Sequence, residues 1–159
     1  MKKILAIAAL IGTAYFGFFT VPTAQAAQIT NGGTNPYGGN VCIDVKGGAT
    51  APFTPAQAWS CHGWMNQQWS IQGFTIFGIG STGGTQNCLD VRNAGTAAGT
   101  TVAIYPCNGT VAQQWYFYNG LIYNPNSKRC LDAGDRANGT QLVINDCVSN
   151  KDSQLWQIK

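Results

Sequence analysis

Charged residues are scarce in this chain and glutamate is absent. Charged side chains make up 9% of the 159 residues, and all six acidic residues are aspartate. Surface helices of soluble proteins are usually built from Glu, Lys, Ala and Leu. The sequence instead has 20 glycines and is rich in Asn, Thr, Gln and aromatic residues, which are typical of turns and short strands. The composition argues against a helix-rich fold, and the length excludes a large multidomain enzyme.

Histidine is nearly absent too, which bears on catalysis. His62 is the single histidine, so a Ser-His-Asp or Cys-His arrangement would have to use it, and its neighbours Trp64 and Asn66 offer no nucleophile. The sequence also contains no Cys-x-x-Cys motif of the kind that holds zinc or performs redox chemistry. We therefore expect a protein that is not an enzyme and needs neither a cofactor nor a metal.

The positive charge of the chain is concentrated where a targeting segment would lie. Lys2 and Lys3 precede an apolar run from Ile4 to Phe19, and Ala24-Gln25-Ala26 follows as a small-x-small cleavage site. This layout predicts a secretory signal peptide over residues 1–26, although an uncleaved membrane anchor is the alternative. Without the two lysines the remaining chain is close to neutral, so the charge gives no support for nucleic-acid binding.

The six cysteines all lie beyond this predicted signal, at positions 42, 61, 88, 107, 130 and 147. Export would bring them into an oxidising compartment, where an even number of cysteines indicates a disulfide framework. Six cysteines allow fifteen different pairings, and their count alone does not choose among them.

The cysteines mark three copies of one sequence unit. Each copy has a Cys-x-Asp segment, a second cysteine 17 to 19 residues later, and then Gln-x-Trp. Such a repeat indicates supersecondary units that share one core. Short apolar and β-branched runs at matching places predict about four strands per unit and about twelve in all. We therefore expect an all-β, closed or nearly closed architecture with pseudo-threefold symmetry, in one domain over 27–159 with repeats near 29–73, 74–119 and 120–159.

Three Cys-x-Asp segments, six cysteines and three Gln-x-Trp motifs in phase resemble the ricin B-type, or R-type, lectin domain. The resemblance covers Ile29 to Lys159 and implies a β-trefoil fold. It also implies one disulfide within each repeat, and the short spacing favours the same choice. The implied pairs are Cys42 with Cys61, Cys88 with Cys107, and Cys130 with Cys147.

The resemblance further implies a sugar-binding site in the first repeat. A sugar offers hydroxyl groups that need polar partners and a C–H face that packs on an aromatic ring. On this resemblance Asp44 accepts two hydroxyl hydrogens, and the sugar face packs on Trp59. Gln57 and Asn66 orient the hydroxyl groups. Gln67 is expected mainly to hold Asp44 in place, and Trp64 is a candidate second wall, although it could equally pack locally.

The other two repeats keep only part of this set. Asp90, Tyr105 and Gln113 form a weaker second site on the same resemblance. The third repeat keeps Asp132 and Gln154 but has Val143, Asn145 and Ser153 at the remaining positions, so we expect no sugar there. A repeated aspartate can also simply accept hydrogen bonds from turn backbone. The tryptophans of the Gln-x-Trp motifs recur in every copy and are expected in the core: Trp69, Trp115 and Trp156.

The sequence thus predicts a secreted, non-enzymatic lectin that binds galactose-like or related sugars, mainly through the first repeat. Its partners would be glycans, and it would reach membranes only through cell-surface glycans. The alternative is a glycan-targeting subunit or binding module of a secreted toxin or of a glycoside hydrolase complex. A trefoil protease inhibitor is a third possibility.

Overall fold

The computed structural model of the chain describes residues 26–34, 36, 38–79 and 86–159. The predicted signal peptide therefore lies outside the described residues except for Ala26. These residues form strands and short 3₁₀ turns, and no helix among them is long and apolar enough to cross a membrane. The strands are β1 (Ile29–Thr34), β2 (Asn40–Val45), β3 (Ala56–Ser60), β4 (Ser70–Gln72), β5 (Thr75–Phe77), β6 (Asn87–Val91), β7 (Thr100–Pro106), β8 (Tyr116–Tyr118), β9 (Leu121–Asn124), β10 (Arg129–Asp132), β11 (Thr140–Gln141), β12 (Val143–Asn145) and β13 (Trp156–Ile158). The 3₁₀ turns are Lys46–Gly48, Met65–Gln67, Arg92–Ala94, Val111–Gln113 and Asp152–Gln154.

Each repeat contributes one longer antiparallel pair, β2–β3, β6–β7 or β10–β12. The first strand of each pair is buried along nearly its whole length, in agreement with its run of apolar residues. The register of these pairs fixes what lies opposite each aspartate of the Cys-x-Asp segments. It places Gln57 opposite Asp44, Ala103 opposite Asp90, and Val143 opposite Asp132.

Three shorter antiparallel pairs complete the architecture. They are β4–β5, β8–β9 and β13–β1, the last of which joins the two ends of the described chain. The arrangement therefore repeats three times around one axis, with the third copy completed by β1. This architecture is the β-trefoil, so the predicted fold class is confirmed.

The three recurring tryptophans make equivalent contacts in the core. Each is almost fully buried, and each indole N–H donates to the backbone carbonyl of the residue after a Cys-x-Asp cysteine, at 2.9 to 3.0 Å. A buried indole N–H needs such an acceptor, so these bonds lock the tryptophan rings in one orientation. The prediction that they belong to the core is confirmed for Trp69, Trp115 and Trp156.

The thirteen described strands exceed the expected twelve because the third repeat is interrupted at Leu142. The Gln141 amide nitrogen lies 2.9 Å from the carbonyl oxygen of Ala56 and 2.8 Å from those of Val102 and Leu142. These three carbonyls come from equivalent places in the three repeats. Leu142 also uses its backbone N–H and carbonyl to bond Ala56 and Val102, which divides its own strand into β11 and β12.

All three disulfides form within a repeat, as predicted. Each joins the first strand of a longer pair to a cysteine one or two residues after its second strand, with Cα atoms 5.0 to 5.1 Å apart. The bond therefore holds the start of the following loop against the strand that carries the aspartate. The pairs are Cys42–Cys61, Cys88–Cys107 and Cys130–Cys147.

Candidate functional site

Asp44 is a buried carboxylate that accepts hydrogen bonds from several side chains. It lies on β2, is 2% exposed, and its Oδ1 accepts from Gln57 Nε2 at 2.9 Å. Its Oδ2 accepts from Asn66 Nδ2 at 2.7 Å and from Gln67 Nε2 at 3.0 Å. The three amide residues predicted for the site therefore all donate to one carboxylate, although only Gln67 was expected to bond Asp44. A carboxylate offers about four acceptor positions, so one position on Oδ1 remains for a ligand hydroxyl.

Gln67 holds this arrangement from below. Its side chain is fully buried, and besides Asp44 its Nε2 donates to the Ser60 carbonyl at 3.1 Å. Its Oε1 accepts from the His62 backbone N–H at 2.8 Å and from Gln28 Nε2 at 3.2 Å. Gln67 thus connects the carboxylate to the loop that follows Cys61, which agrees with its expected positioning role.

Trp59 stands at the side of an open cleft that we call the first-repeat cleft, with a volume of about 680 Å³. The Trp59 ring is 37% exposed, whereas the tryptophans of the Gln-x-Trp motifs are buried. Trp64, which is 72% exposed, lines the same cleft. The surface placement expected for Trp59 is therefore observed. The lining consists of Asp44, Lys46, Gly47, Gly48, Gln57, Trp59, His62, Trp64 and Asn66.

His62 contributes to the first-repeat cleft in a way the sequence did not reveal. Its Nδ1 accepts the backbone N–H of Trp64 at 3.2 Å, so the ring proton of the neutral imidazole is placed on Nε2. That Nε2 lies 3.3 Å from Asp44 Oδ2, and the ring packs against Trp64 with centroids 4.8 Å apart. His62 therefore gives Asp44 a fourth polar contact and fixes the position of the Trp64 wall. The sequence feature that could have pointed to this role is the position of His62 directly after Cys61.

The second repeat forms a smaller cleft of about 250 Å³, here called the second-repeat cleft. Asp90 is 4% exposed and accepts from Gln113 Nε2 at 3.0 Å, while Tyr105 lines the cleft above it. Burial raises the pKa of the Asp90 carboxyl, and the Gln113 hydrogen bond opposes that rise only in part. Of the three residues predicted for a weaker site, Asp90 and Tyr105 line this cleft, whereas Gln113 is buried and is connected to it through its bond to Asp90.

Phe53 is a further component of the second-repeat cleft that sequence reasoning missed. Its ring lies 4.6 Å from that of Tyr105, centroid to centroid, although Phe53 belongs to the loop between β2 and β3 of the first repeat. Sequence alignment of the repeats offered no signal for it, because the contact joins two different repeats.

The third repeat has its aspartate engaged internally. Asp132 is fully buried, and Lys151 Nζ lies 2.6 Å from its Oδ2. Asn145 and Gln154 donate to the same oxygen, and the Gly134 backbone N–H donates to Oδ1 at 2.9 Å. Burial alone would raise the pKa of Asp132, but these donors, with Lys151 foremost, hold it well below its usual range. The bond from the Gly134 backbone is of the turn type considered for a repeated aspartate, whereas the other three donors are side chains. Lys151 occupies the place of Trp64.

The sequence profile described as the ricin-type beta-trefoil lectin domain matches residues 34–156. A comparison with curated protein sequences finds no match. Among solved structures, an agglutinin from Abrus precatorius is 28% identical with a TM-score of 0.66, over 84% of this chain and 47% of that chain. This chain therefore spans about half the length of that agglutinin chain.

Two further structures share the fold at lower identity. The designed 3-fold symmetric protein ThreeFoil is 23% identical with a TM-score of 0.68, over 84% of this chain and 96% of that chain. The C-half of an earthworm R-type lectin, determined in complex with GalNAc, is 15% identical with a TM-score of 0.65, over 85% of this chain and 98% of that chain. Since the profile match extends across most of the sequence and the architecture agrees with it, the chain belongs to the family of ricin-type β-trefoil lectin domains.

Proposed function

We propose that this protein is a secreted, non-enzymatic lectin that binds galactose-like or related sugars through the first-repeat cleft. The observation that supports it most is the pairing of a buried, multiply hydrogen-bonded carboxylate, Asp44, with the exposed ring of Trp59 in one open cleft. A carboxylate that is held rigidly accepts ligand hydroxyls without first ordering itself. An exposed indole offers the apolar surface that the C–H face of a sugar requires.

The proposed binding mode assigns one task to each side chain. Asp44 Oδ1 accepts one ligand hydroxyl at its remaining position, and a second hydroxyl binds the carboxylate only if Gln57 or Asn66 turns aside. When either amide turns, its own donors and acceptor become available to the neighbouring hydroxyl. The sugar ring packs on Trp59, and Gln67 keeps the carboxylate in place. The pair of hydroxyls that satisfies Asp44 therefore decides which sugar fits.

The test is direct binding to galactose, lactose and N-acetylgalactosamine by isothermal titration calorimetry, followed by a glycan array. Three structures with this fold were determined with α-methyl-D-galactoside, GalNAc and N-acetyl-D-lactosamine, which makes these sugars the first to try. Trp59→Ala removes the ring, and Asp44→Asn replaces an acceptor with an amide that faces the Gln57, Asn66 and Gln67 donors. Both variants should lose binding at the first-repeat cleft and retain only the weaker binding of the second.

The matched control is Tyr118→Ala, which removes an aromatic ring that is 68% exposed on β8 and lines neither cleft. It should bind like the wild type. Equal binding by the wild type, Trp59→Ala and Asp44→Asn would refute the assignment of the site, as would loss of binding in Tyr118→Ala alone. Near-ultraviolet circular dichroism verifies that each variant is folded.

A single open cleft with one ring is expected to bind a monosaccharide weakly, with a Kd on the order of 1 mM, or about −4 kcal/mol. We propose that the second-repeat cleft, with Asp90, Tyr105 and Gln113, supplies weaker additional binding. Two clefts on one molecule would raise the apparent affinity for clustered glycans without any new contact. The Asp90→Ala variant should therefore lose more affinity for a dense glycan surface than for a free monosaccharide.

We also propose that residues 1–26 are a cleaved signal peptide and that one lectin domain covers 27–159. Among the described residues, Ala27 already exchanges backbone hydrogen bonds of 2.8 Å with Trp69. This supports a domain that includes the predicted first mature residue. Three disulfides agree with an oxidising compartment. Intact-mass measurement of protein recovered from the culture medium tests this, and a mass that includes residues 1–26 would refute cleavage.

A second candidate is a glycan-targeting subunit or binding module of a toxin or of a glycoside hydrolase complex. The observation that favours it is that the regions matched to this chain cover 47% of the Abrus agglutinin chain and 22% of the GalNAc-T7 chain, so related domains occur within longer chains. Light scattering and an agglutination assay on the purified chain separate the two roles. Agglutination by the chain alone supports an independent lectin, whereas sugar binding without agglutination supports a module.

A further inference from the structure

Phe53 occupies a position that is glycine in the other two repeats. Its backbone N–H donates to the Ile104 carbonyl at 2.8 Å, as that of Gly99 donates to the Ile144 carbonyl and that of Gly139 to the Ala58 carbonyl. In each case the residue after the accepting carbonyl occupies the position that Trp59 has in the first repeat, which we call the ring position. The three ring positions hold Tyr105, Asn145 and Trp59 respectively. Each ring position is therefore neighboured by one residue from the preceding repeat.

A side chain at this position reaches the ring of the next repeat. A Cβ added to Gly139 would lie 3.8 Å from Cζ3 of Trp59. At the equivalent place the Phe53 ring contacts Tyr105, and the Arg92 guanidinium carbon lies 5.1 Å from the centre of the Phe53 ring. Phe53 is thus held between a tyrosine and a cation.

The backbone at this position favours glycine, so phenylalanine is retained against a conformational cost. The φ angles are 65° at Phe53, 81° at Gly99 and 90° at Gly139, all in the left-handed region that side chains with a Cβ disfavour. A bulky residue persists in this region only when its surroundings hold it there. The contacts with Tyr105 and Arg92 are what hold Phe53.

The chemistry of the second-repeat cleft differs from that of the first. Ala103 stands opposite Asp90 where Gln57 stands opposite Asp44, and Ala112 stands where Asn66 donates to Asp44. The described contacts therefore give the Asp90 carboxylate one side-chain donor, Gln113, and surround it with two methyl groups. The cleft has one more aromatic ring than the sequence predicted, and its two lining amides, Asn93 and Asn108, take the place of none of the Asp90 donors that are missing here. Its carboxylate is therefore suited to a ligand hydrogen-bond donor, and its two rings are suited to an apolar group of the ligand.

We propose that the second-repeat cleft selects saccharides that carry an N-acetyl group, and that Phe53 is its specificity-determining residue. An acetamide N–H is a donor for Asp90, and the acetamide methyl is apolar surface for the Phe53 and Tyr105 rings. The first-repeat cleft, where Gly139 leaves that space empty, selects by hydroxyl groups instead. This inference rests on the proposed function of the domain as a saccharide binder.

The experiment compares N-acetylgalactosamine with galactose, two sugars that differ at one substituent, by calorimetry or ligand-observed NMR. Trp59→Ala removes sugar binding at the first-repeat cleft, so that the remaining binding is that of the second-repeat cleft. In this background N-acetylgalactosamine should bind about three- to tenfold more tightly than galactose, which is the size of effect expected from one aromatic contact. Adding Phe53→Gly should abolish that preference. The glycine suits the local φ angle and matches the other two repeats, so this variant should remain folded.

Two controls separate this inference from the proposed function. Phe53→Gly alone should leave galactose binding at the first-repeat cleft unchanged, and Trp59→Ala combined with Tyr105→Ala should bind neither sugar. Equal binding of the two sugars by Trp59→Ala, no binding of either, or a preference that survives Phe53→Gly would each overturn the inference. Failure of the wild type to bind galactose at the first-repeat cleft would instead count against the proposed function.

Discussion

Replacing Gln67 with methionine tests whether the first-repeat cleft depends on a held carboxylate. Gln67 donates to Asp44 Oδ2 at 3.0 Å and to the Ser60 carbonyl at 3.1 Å, and it accepts from the His62 backbone at 2.8 Å. Methionine has nearly the same shape but makes none of these bonds. The same three bonds recur in the other repeats, at 2.8 to 3.1 Å, around Gln113 and Gln154.

The magnitude follows from the three bonds. The bond to a carboxylate contributes about 1.5–3 kcal/mol to the free energy of unfolding, and each neutral bond about 1 kcal/mol. Burial of the apolar methionine side chain offsets part of their loss. We expect a loss of about 3 kcal/mol in the free energy of unfolding. For a domain of this size such a loss lowers the Tm by about 10 °C. Sugar affinity should also fall at least about tenfold, because Asp44 and the His62 loop lose their common support.

Gln113→Met is the matched control, measured by calorimetric melting and by galactose titration with the disulfides intact. It breaks the equivalent bonds and should cost similar stability, yet it should leave galactose binding at the first-repeat cleft unchanged. If Gln67→Met lowers the Tm but binds galactose as tightly as the wild type, then the buried hydrogen bonds do not position Asp44 for the ligand. If Gln113→Met loses the same affinity, the effect is one of global stability.

The remaining predictions concern stability. Lys151→Ala should lower the free energy of unfolding by about 1–2 kcal/mol near neutral pH, as measured by urea unfolding. Because the pKa of Asp132 is held low in the folded protein, the difference in stability from the wild type should shrink as pH falls below about 4. Gly78→Ala should cost about 1–3 kcal/mol, because its Cβ would lie 2.5 Å from Cζ3 of Trp69, whereas Gly32→Ala, with its nearest atom at 3.6 Å, should be close to neutral in the same thermal melts. Reducing all three disulfides, each closing a loop of under twenty residues, should remove about 3 kcal/mol per bond and leave the chain unfolded at 37 °C by circular dichroism; a folded reduced chain would contradict this.

The fold could be predicted from the sequence because its threefold symmetry produces a regular spacing of cysteines and tryptophans along the chain. The Gln-x-Trp motifs identify Trp69, Trp115 and Trp156 as core residues, and the Cys-x-Asp segments identify the buried strands. The strand division at Leu142 could not be predicted, since it depends on carbonyls from three repeats that meet at the Gln141 amide.

The site was predictable where its residues follow the repeat or the resemblance to the lectin family. Asp44 and Gln67 recur at the same offsets in every copy, whereas Gln57 and Asn66 are absent from the other copies and were identified through the resemblance. Phe53 acts across a repeat boundary, on Tyr105, so no comparison within a repeat can find it. Lys151 lies in the one repeat whose second loop is a residue longer, which hides its equivalence to Trp64.

The most direct test of the central claim is a galactose titration followed through the five tryptophan indole N–H signals in ¹H–¹⁵N NMR spectra. Three of these N–H groups are buried and bonded to backbone carbonyls, while the rings of Trp59 and Trp64 line the first-repeat cleft. If galactose packs on Trp59, the Trp59 signal should shift with added galactose, the Trp64 signal should follow, and the three buried signals should stay in place. A Trp59 signal that does not move at saturating galactose would contradict it.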